Sequence, residues 1–252
     1  MTTLFSWVNP TSFDPLVDHT WVTDYPTPTP PHADIAAVAD AGGTYWFCWG
    51  IYHPEGHSKK HAGGAIGHQP GDLSFAKCLC APMLSSKGHP SAQGTINSYG
   101  VDGVCHQLAN QVLYATGSPG RPPLTVRKAR GYKTSTWLWG TYGRDTTKWQ
   151  MHVAHCKWQM LGRGLMRDDF LTSLPKELAP EKVLRLLELR AAFQSRVQEF
   201  HNARGNPADA ERINRLINDH LAQAETFQTP AEYERVFGHR PQQKPKLVDP
   251  EM

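Results

Sequence analysis

The clearest chemical signal in the sequence lies at Cys105, a thiol near two glycines at the start of a run with helical spacing. Val104, Leu108 and Val112 lie four positions apart, which predicts an amphipathic helix over residues 102–116. The first turn of a helix has unpaired N–H groups and the positive end of the helix dipole, and both favour a thiolate. The position therefore predicts a nucleophilic cysteine, and the structural alternative is a small buried hydrophobic side chain.

The boundaries of this helix are also marked in the sequence. We expect Asp102 to cap its N-terminus and Gly117 to end it. Gly100 and Gly103 leave room for a substrate backbone beside the sulfur. The N–H groups of the first turn would help to hold an oxyanion.

A thiol nucleophile needs a base, and the sequence offers 13 histidines. We favour His19, which opens a β-prone run and can point into a cleft beside a helix N-terminus. His152, together with the nearby His155, is the competing candidate in a later strand-like run. His106 adjoins Cys105 but points about 100° away around the helix, so it is a poor base.

A third group would orient the imidazole, as in other Cys-His sites. Residues 19–25 and 44–53 are the two strongest strand signals near His19. If these strands pair antiparallel, the end of one meets the start of the other. His53, which ends the second strand, would then lie near His19.

These residues resemble the circularly permuted papain-like superfamily, which includes permuted NlpC-type cell-wall peptidases and lecithin-retinol-acyltransferase-like enzymes. The resemblance covers about residues 15–145. It implies an antiparallel sheet packed on the helix that carries the nucleophile, and amide hydrolysis or acyl transfer through a thioester. Carried over by position, Cys105 matches the nucleophile, His19 the base and His53 the third member.

This sequence departs from the family pattern in two ways. Val104-Cys105-His106 replaces the usual Asn-Cys or Asp-Cys-Ser context, and the segment between the two strands is long and proline-rich. In the unpermuted order the cysteine precedes the histidine, which would favour His152 as the base.

The composition divides the 252 residues into two regimes, since all eight Trp lie at or before Trp158. We predict an α+β fold with a papain-like catalytic domain over residues 1–172 and a C-terminal helical hairpin over 175–238. Residues 239–252 contain three prolines and are predicted to be disordered. In the hairpin, Gly205 ends one helix and Asn206 caps the next.

Other segments carry weaker signals. The hairpin helices are predicted over 180–204 and 207–227, with a short third helix over 231–237. The Gly-, His- and Pro-rich residues 54–72 are predicted to form a long irregular loop. Further segments are a short helix over 73–84 and strands near 124–132, 135–142 and 148–158.

A metal-binding module is the alternative from a different class. His53, His57 and His61 lie four apart, with His68 beyond, and a loop could gather them around a metal. Cys78 and Cys80 do not have the usual spacing of a structural zinc site. The thiol mechanism itself requires no cofactor.

The remaining expectations concern partners and location. A net charge of +3 without a long run of Lys or Arg argues against nucleic acid. The sequence has no long apolar span and no secretory leader, and five cysteines favour a reducing compartment. We expect a chain that is cytoplasmic as synthesised, with leaderless export, as for a bacterial effector, left open. It would act on a peptide, protein or lipid amide, and helices 180–227 could contact a partner or a second copy.

Overall fold

The computed structural model describes residues 2–11, 13–23, 26, 46–47, 64–71, 98–116, 122–144, 168–203 and 205–250. The described strands are β1 (Thr2–Pro10), β2 (Asp18–Thr23), β3 (Trp46–Phe47) and β4 (Gly64–Gly71). They form one antiparallel sheet in the order β3-β2-β1-β4. The mixture of helices with this sheet agrees with the predicted α+β class.

The two faces of the central strands, β1 and β2, carry different kinds of side chain. In the continuous pairing of β1 with β2, Trp7 lies opposite Trp21 and Asn9 lies opposite His19. Successive side chains of a strand point to opposite faces, so these four residues share one face of the sheet. On the other face, Leu4 and Val22 join the main hydrophobic core.

The predicted loop over 54–72 is wrong for its second half, because Gly64–Gly71 forms β4 at an outer edge of the sheet. An edge strand tolerates glycine and Pro70, since one of its sides needs no strand partner. The side chain of Gln69 is buried, where it donates to the carbonyl of Leu113 and accepts from the amide of Leu124. Strand β1 was not predicted either.

The helix that carries Cys105 is α1 (Cys105–Thr116), and its predicted apolar stripe is buried as expected. The predicted cap is wrong, because the carboxylate of Asp102 accepts instead from the amide of Ser98 and from Arg144. The start of α1 is fixed by Gln107, whose side-chain oxygen accepts from the amide of Val104 at 3.0 Å.

The strands predicted near 124–132 and 135–142 are wrong, because residues 124–131 are irregular or in turns and Tyr132–Trp139 forms helix α2. Its Tyr, Thr and Trp residues favour strands locally. Nearly every side chain of α2 is buried, and Gly131 and Gly140, both with positive φ, flank it. The hydroxyl of Thr136 also donates to the carbonyl of Tyr132 one turn earlier. Packing on all sides therefore outweighs the local preference.

The C-terminal helices occur in the predicted order, but the first hairpin helix is shorter than predicted, because it ends at Arg196 and not at Gly205. After the short α3 (Asp169–Ser173) come α4 (Pro180–Arg196), α5 (Pro207–Glu225) and α6 (Pro230–Phe237). A 3-10 turn, Val197–Glu199, extends α4. Asn206 caps α5 by accepting from the amide of Asp209, as expected.

The hairpin packs on the body of the molecule through α2. The indole N–H of Trp137 donates to the carbonyl of Leu186 at 2.9 Å. Trp139 makes an edge-to-face contact with Phe193, with ring centroids 5.4 Å apart. Both sides belong to one hydrophobic cluster, so the core is continuous across the predicted boundary between body and hairpin.

The prediction of disorder for residues 239–252 is wrong as far as residue 250, because this tail packs into the core. Val248 is fully buried, and Asn214 bonds both its backbone groups, donating to the carbonyl at 2.6 Å and accepting from the amide at 3.0 Å. The amide of Lys246 donates to the carboxylate of Asp14 at 2.6 Å. Among the described residues, no helix has the length and apolar character needed to cross a bilayer.

Candidate functional site

The thiol of Cys105 lies against β2, at the point where α1 begins. Its Sγ is 3.8 Å from the carbonyl oxygen of Asp18, to which the thiol donates. Thr20 and the backbone amide of His106 lie near enough to the sulfur to favour its thiolate form. The sulfur therefore contacts the residues on both sides of His19 in the strand.

Two opposing effects act on the ionisation of this thiol. Burial disfavours the thiolate, whereas the N–H and O–H groups from Thr20 and His106 favour it. Burial is the larger effect and raises the pKa of Cys105 from 9.0 to about 11, with a smaller contribution from the carboxylate of Asp249. This direction is opposite to the one predicted from the helix start, and the thiol is protonated at neutral pH.

His19 belongs to β2, as predicted, and is 2% exposed. Its ring stacks on Trp21, with centroids 5.7 Å apart and planes inclined by 19°. Strand alternation places this ring on the face opposite to the side chain of Thr20, which lies near the sulfur. The backbone of β2 at His19 therefore lies beside Cys105. The imidazole points to the opposite face of the sheet, the one that carries Trp7 and Trp21.

His106 is fully buried, and its ring lies within hydrogen-bond distance of both β2 and α2. Its Nε2 lies 2.9 Å from the carbonyl oxygen of Asp18, and its Nδ1 lies 2.9 Å from the hydroxyl of Ser135. A carbonyl only accepts, so Nε2 carries the proton and Nδ1 accepts from Ser135 in the neutral ring. Burial lowers the pKa of His106 to about 4, which keeps it neutral near pH 7.

The start of β2 is held in place by Asp18 and Arg130. The Asp18 carboxylate accepts from the backbone amide, Nε and Nη2 of Arg130 at 2.6–2.8 Å. The backbone amide of Asp18 donates in turn to the carbonyl of Arg130. These bonds fix the position of the Asp18 carbonyl, which both Cys105 and His106 contact.

The space expected beside the two glycines is filled by protein. Gly100 and Gly103 have positive φ values of 77° and 155°, which explains glycine at both positions. A Cβ at Gly100 would lie 3.0 Å from Val248, and one at Gly103 would lie 2.8 Å from the Cβ of Gln107. The glycines therefore allow close packing of the loop and do not open a channel for a substrate.

Several predicted residues lie outside the described part of the chain. They are His53, His57, His61, Cys78, Cys80, His152 and His155. His68 lies on β4, where its side chain is exposed and contacts Phe5 with ring centroids 5.9 Å apart. Within the described ranges, no group of three His, Cys, Asp or Glu side chains could hold a metal ion.

Sequence reasoning missed two residues of this region. Thr20 lies near the sulfur of Cys105, and Asn9 lies directly opposite His19. Thr20 could have been found from its place in the predicted strand beside His19. Asn9 could not, because β1 was not predicted and the pairing of two strands cannot be read from either one alone.

The described residues define an α+β protein with a buried thiol between a sheet and the first turn of a helix. Comparison with protein-family models, curated proteins and solved structures found no match for this chain.

Proposed function

We propose that this protein is a cysteine-dependent hydrolase or acyltransferase that acts on amide, ester or thioester bonds, with Cys105 as nucleophile and His19 as base. The observation that carries the proposal is the position of the sulfur. It belongs to the first residue of α1, donates to the carbonyl of Asp18 and lies near Thr20, so it is close to both residues that flank His19 in β2.

The raised pKa of Cys105 determines how such a reaction begins. A protonated thiol is a weak nucleophile, so a base must take its proton as the sulfur attacks. To fill this role, the imidazole of His19 must move from the face that it shares with Trp21 to the face of β2 beside the sulfur. Until then, the thiol donates to the carbonyl of Asp18, the residue before His19.

The steps follow general acid-base chemistry. His19 takes the proton of Cys105 while the sulfur bonds to the carbonyl carbon, and the first-turn amides of α1 stabilise the oxyanion. The tetrahedral intermediate collapses to a thioester as the protonated His19 gives its proton to the leaving group. Water or another acceptor then attacks the thioester and restores the thiol.

A papain-like arrangement of sheet and nucleophile helix, with peptidase or amidase activity, is the specific form of this proposal. Helix α1 packs on β2 through the main core, as such an arrangement requires. His53 remains the predicted third residue, since it lies outside the described part of the chain.

The test is acylation of the purified protein by p-nitrophenyl acetate, followed by intact mass and peptide mapping. We expect one acetyl group on Cys105, and a loss of at least a hundredfold in turnover in Cys105→Ser and in His19→Gln. His201→Gln is the matched control, because this histidine is exposed. Full turnover in Cys105→Ser, or acetylation confined to other cysteines, would overturn the proposal.

The metal-binding alternative stays a prediction that the same preparation can test. Its candidate ligands lie largely in residues 53–61, outside the described ranges. Stoichiometric zinc in the purified protein, together with an absence of Cys105-dependent turnover, would favour the non-enzymatic module.

A further inference from the structure

A pocket of about 280 Å³ lies between the end of α4 and one face of α5. Arg196, the last residue of α4, lines it together with Glu199 and Phe200 from the turn that follows. Pockets that hold drug-sized ligands measure roughly 300–1,000 Å³, so this one suits a smaller molecule. We refer to it as the α4–α5 pocket.

Helix α5 forms the opposite wall of the α4–α5 pocket. Arg212, Arg215, Leu216 and Asp219 are spaced three, four and seven positions from the first of them, so they share one face of the helix. Leu216 is buried in the main hydrophobic cluster, and Phe200 packs against the same cluster. The apolar part of the lining therefore lies on the core side, whereas the five charged side chains are exposed to solvent.

The two arginines of α5 pair with acids that do not line the pocket. The guanidinium of Arg212 lies 3.2 Å from the Asp209 carboxylate and 4.9 Å from the centroid of the Phe200 ring. Arg215 lies 4.0 Å from the carboxylate of Glu211. These contacts balance part of both charges outside the pocket.

The other three charged residues of the lining have no such partners. Within the described part of the chain, Arg196, Glu199 and Asp219 form no ion pair, either with one another or with other residues. One cation and two carboxylates therefore face the same space without contact between them. A simple anion in this space would meet two carboxylates, and a simple cation would meet guanidinium groups. A ligand that carries both charges can pair with each sign at once.

We propose that the α4–α5 pocket binds a small zwitterion, an α-amino acid with an apolar side chain. The guanidinium of Arg196 donates to the ligand carboxylate, for which its planar N–H groups are suited. The carboxylates of Glu199 and Asp219 accept from the ligand ammonium, and the ligand side chain packs on Phe200 and Leu216. This site is separate from Cys105, and the inference does not depend on the proposed thiol mechanism.

The first experiment compares three ligands that differ in charge. Isothermal titration calorimetry of the full chain uses L-leucine, N-acetyl-L-leucine, which lacks the ammonium group, and L-leucinamide, which lacks the carboxylate. We expect L-leucine to bind, and each analogue to bind at least tenfold more weakly, because each loses one of the two charge pairs. This comparison needs no variant, so it does not depend on the folding of a mutant.

The second experiment places the ligand in the pocket. Arg196→Gln and the double variant Glu199→Gln/Asp219→Asn should each lower the affinity for L-leucine at least tenfold and should fold normally, because all three residues are exposed. The matched controls are Arg127→Gln and Glu188→Gln/Glu234→Gln, which remove exposed charges that do not line the pocket. Both controls, and Cys105→Ser, should bind L-leucine as the wild type does.

Three results would overturn the proposal. The first is an absence of binding heat from L-leucine at concentrations up to about 10 mM. The second is binding of N-acetyl-L-leucine or of L-leucinamide as tight as that of L-leucine, which would show that one charge is sufficient. The third is equal affinity for L-leucine in the lining variants and in the controls. Weaker binding in the lining variants alone supports the zwitterion site whether or not Cys105 turns over any ester.

Discussion

At the scale of single residues, the sulfur of Cys105 shows how position and environment can act in opposite directions. The start of a helix and the nearby polar groups of Thr20 and His106 favour the thiolate, and burial disfavours it more strongly. A cysteine at a helix start can be recognised in sequence, but its burial depends on which residues pack around it. For that reason the sequence predicted the location of the thiol correctly and the direction of its pKa incorrectly.

Alkylation of Cys105 by iodoacetamide should be slow near neutral pH and should rise with pH towards about 11, because only the thiolate reacts. Mass spectrometry of the Cys105 peptide over a pH series measures the rate, with a short cysteine-containing peptide as the reference. A rate that already levels off near pH 7 would contradict the raised pKa.

His106 should make the fold sensitive to acid. Its pKa falls from 6.5 to about 4 on folding, so its stabilising effect is full above pH 6.5 and is lost as pH falls through 4. The loss should be on the order of 3 kcal/mol. Urea unfolding of the wild type and of His106→Gln at a series of pH values measures it.

The His106→Gln variant retains an amide that can donate to the Asp18 carbonyl but has no group that titrates in this range. Its stability should therefore fall less steeply between pH 6.5 and 4 than that of the wild type. Parallel curves for the two proteins would show that His106 is not the residue responsible.

At the scale of elements, the sequence was sufficient where the boundary residues act locally. Asn206 capped the second hairpin helix as predicted, because it acts through a bond three residues away, whereas the first hairpin helix ended at Arg196, well before Gly205. The sequence was insufficient for α2, whose strand-favouring residues become helical through burial on all sides. It also missed β4, since the pairing with β1 spans about 60 residues.

The capping box of α6 provides a local test. Thr229 accepts from the amide of Glu232 at 3.2 Å, and the Glu232 carboxylate accepts from the amide of Thr229 at 2.7 Å. Thr229→Ala should lower the free energy of unfolding by about 1 kcal/mol, because one helix amide loses its partner. Chemical denaturation measures the change.

Thr226→Ala is the control for that experiment, since Thr226 is near Thr229 and its hydroxyl donates to a carbonyl at the end of α5. It should change stability by less than about 0.5 kcal/mol. A larger effect from Thr226→Ala than from Thr229→Ala would show that the capping box does not stabilise α6.

At the scale of the whole molecule, residues far apart in sequence form one core. Val248 packs against Gly100, and a hydrogen bond joins Asn214 to each of its backbone groups. The composition of the tail, with its prolines and charges, gave no sign of this, because its burial depends on a groove made by other segments. The predicted disorder failed for that reason.

Val248→Ala should destabilise the whole protein by about 2 kcal/mol, because it leaves a cavity between the tail, α5 and the loop before α1. Thermal unfolding should remain a single transition at a lower Tm. Lys244→Ala, in the same tail but exposed, is the control. If the tail frayed independently of the rest of the protein, Val248→Ala would leave the Tm unchanged. This result would contradict a shared core.

The hydrogen bond between Asp14 and Lys246 has a consequence for how the protein is made. The two residues are 232 positions apart, and a ribosome adding about 5–20 residues per second needs roughly 10–50 s to cover that distance. Throughout this interval the Asp14 carboxylate lacks that partner. From the synthesis of Ile213 until that of Val248, the apolar groove that receives Val248 also faces water. A chaperone that covers this groove until Val248 is made would keep it from contact with other apolar segments.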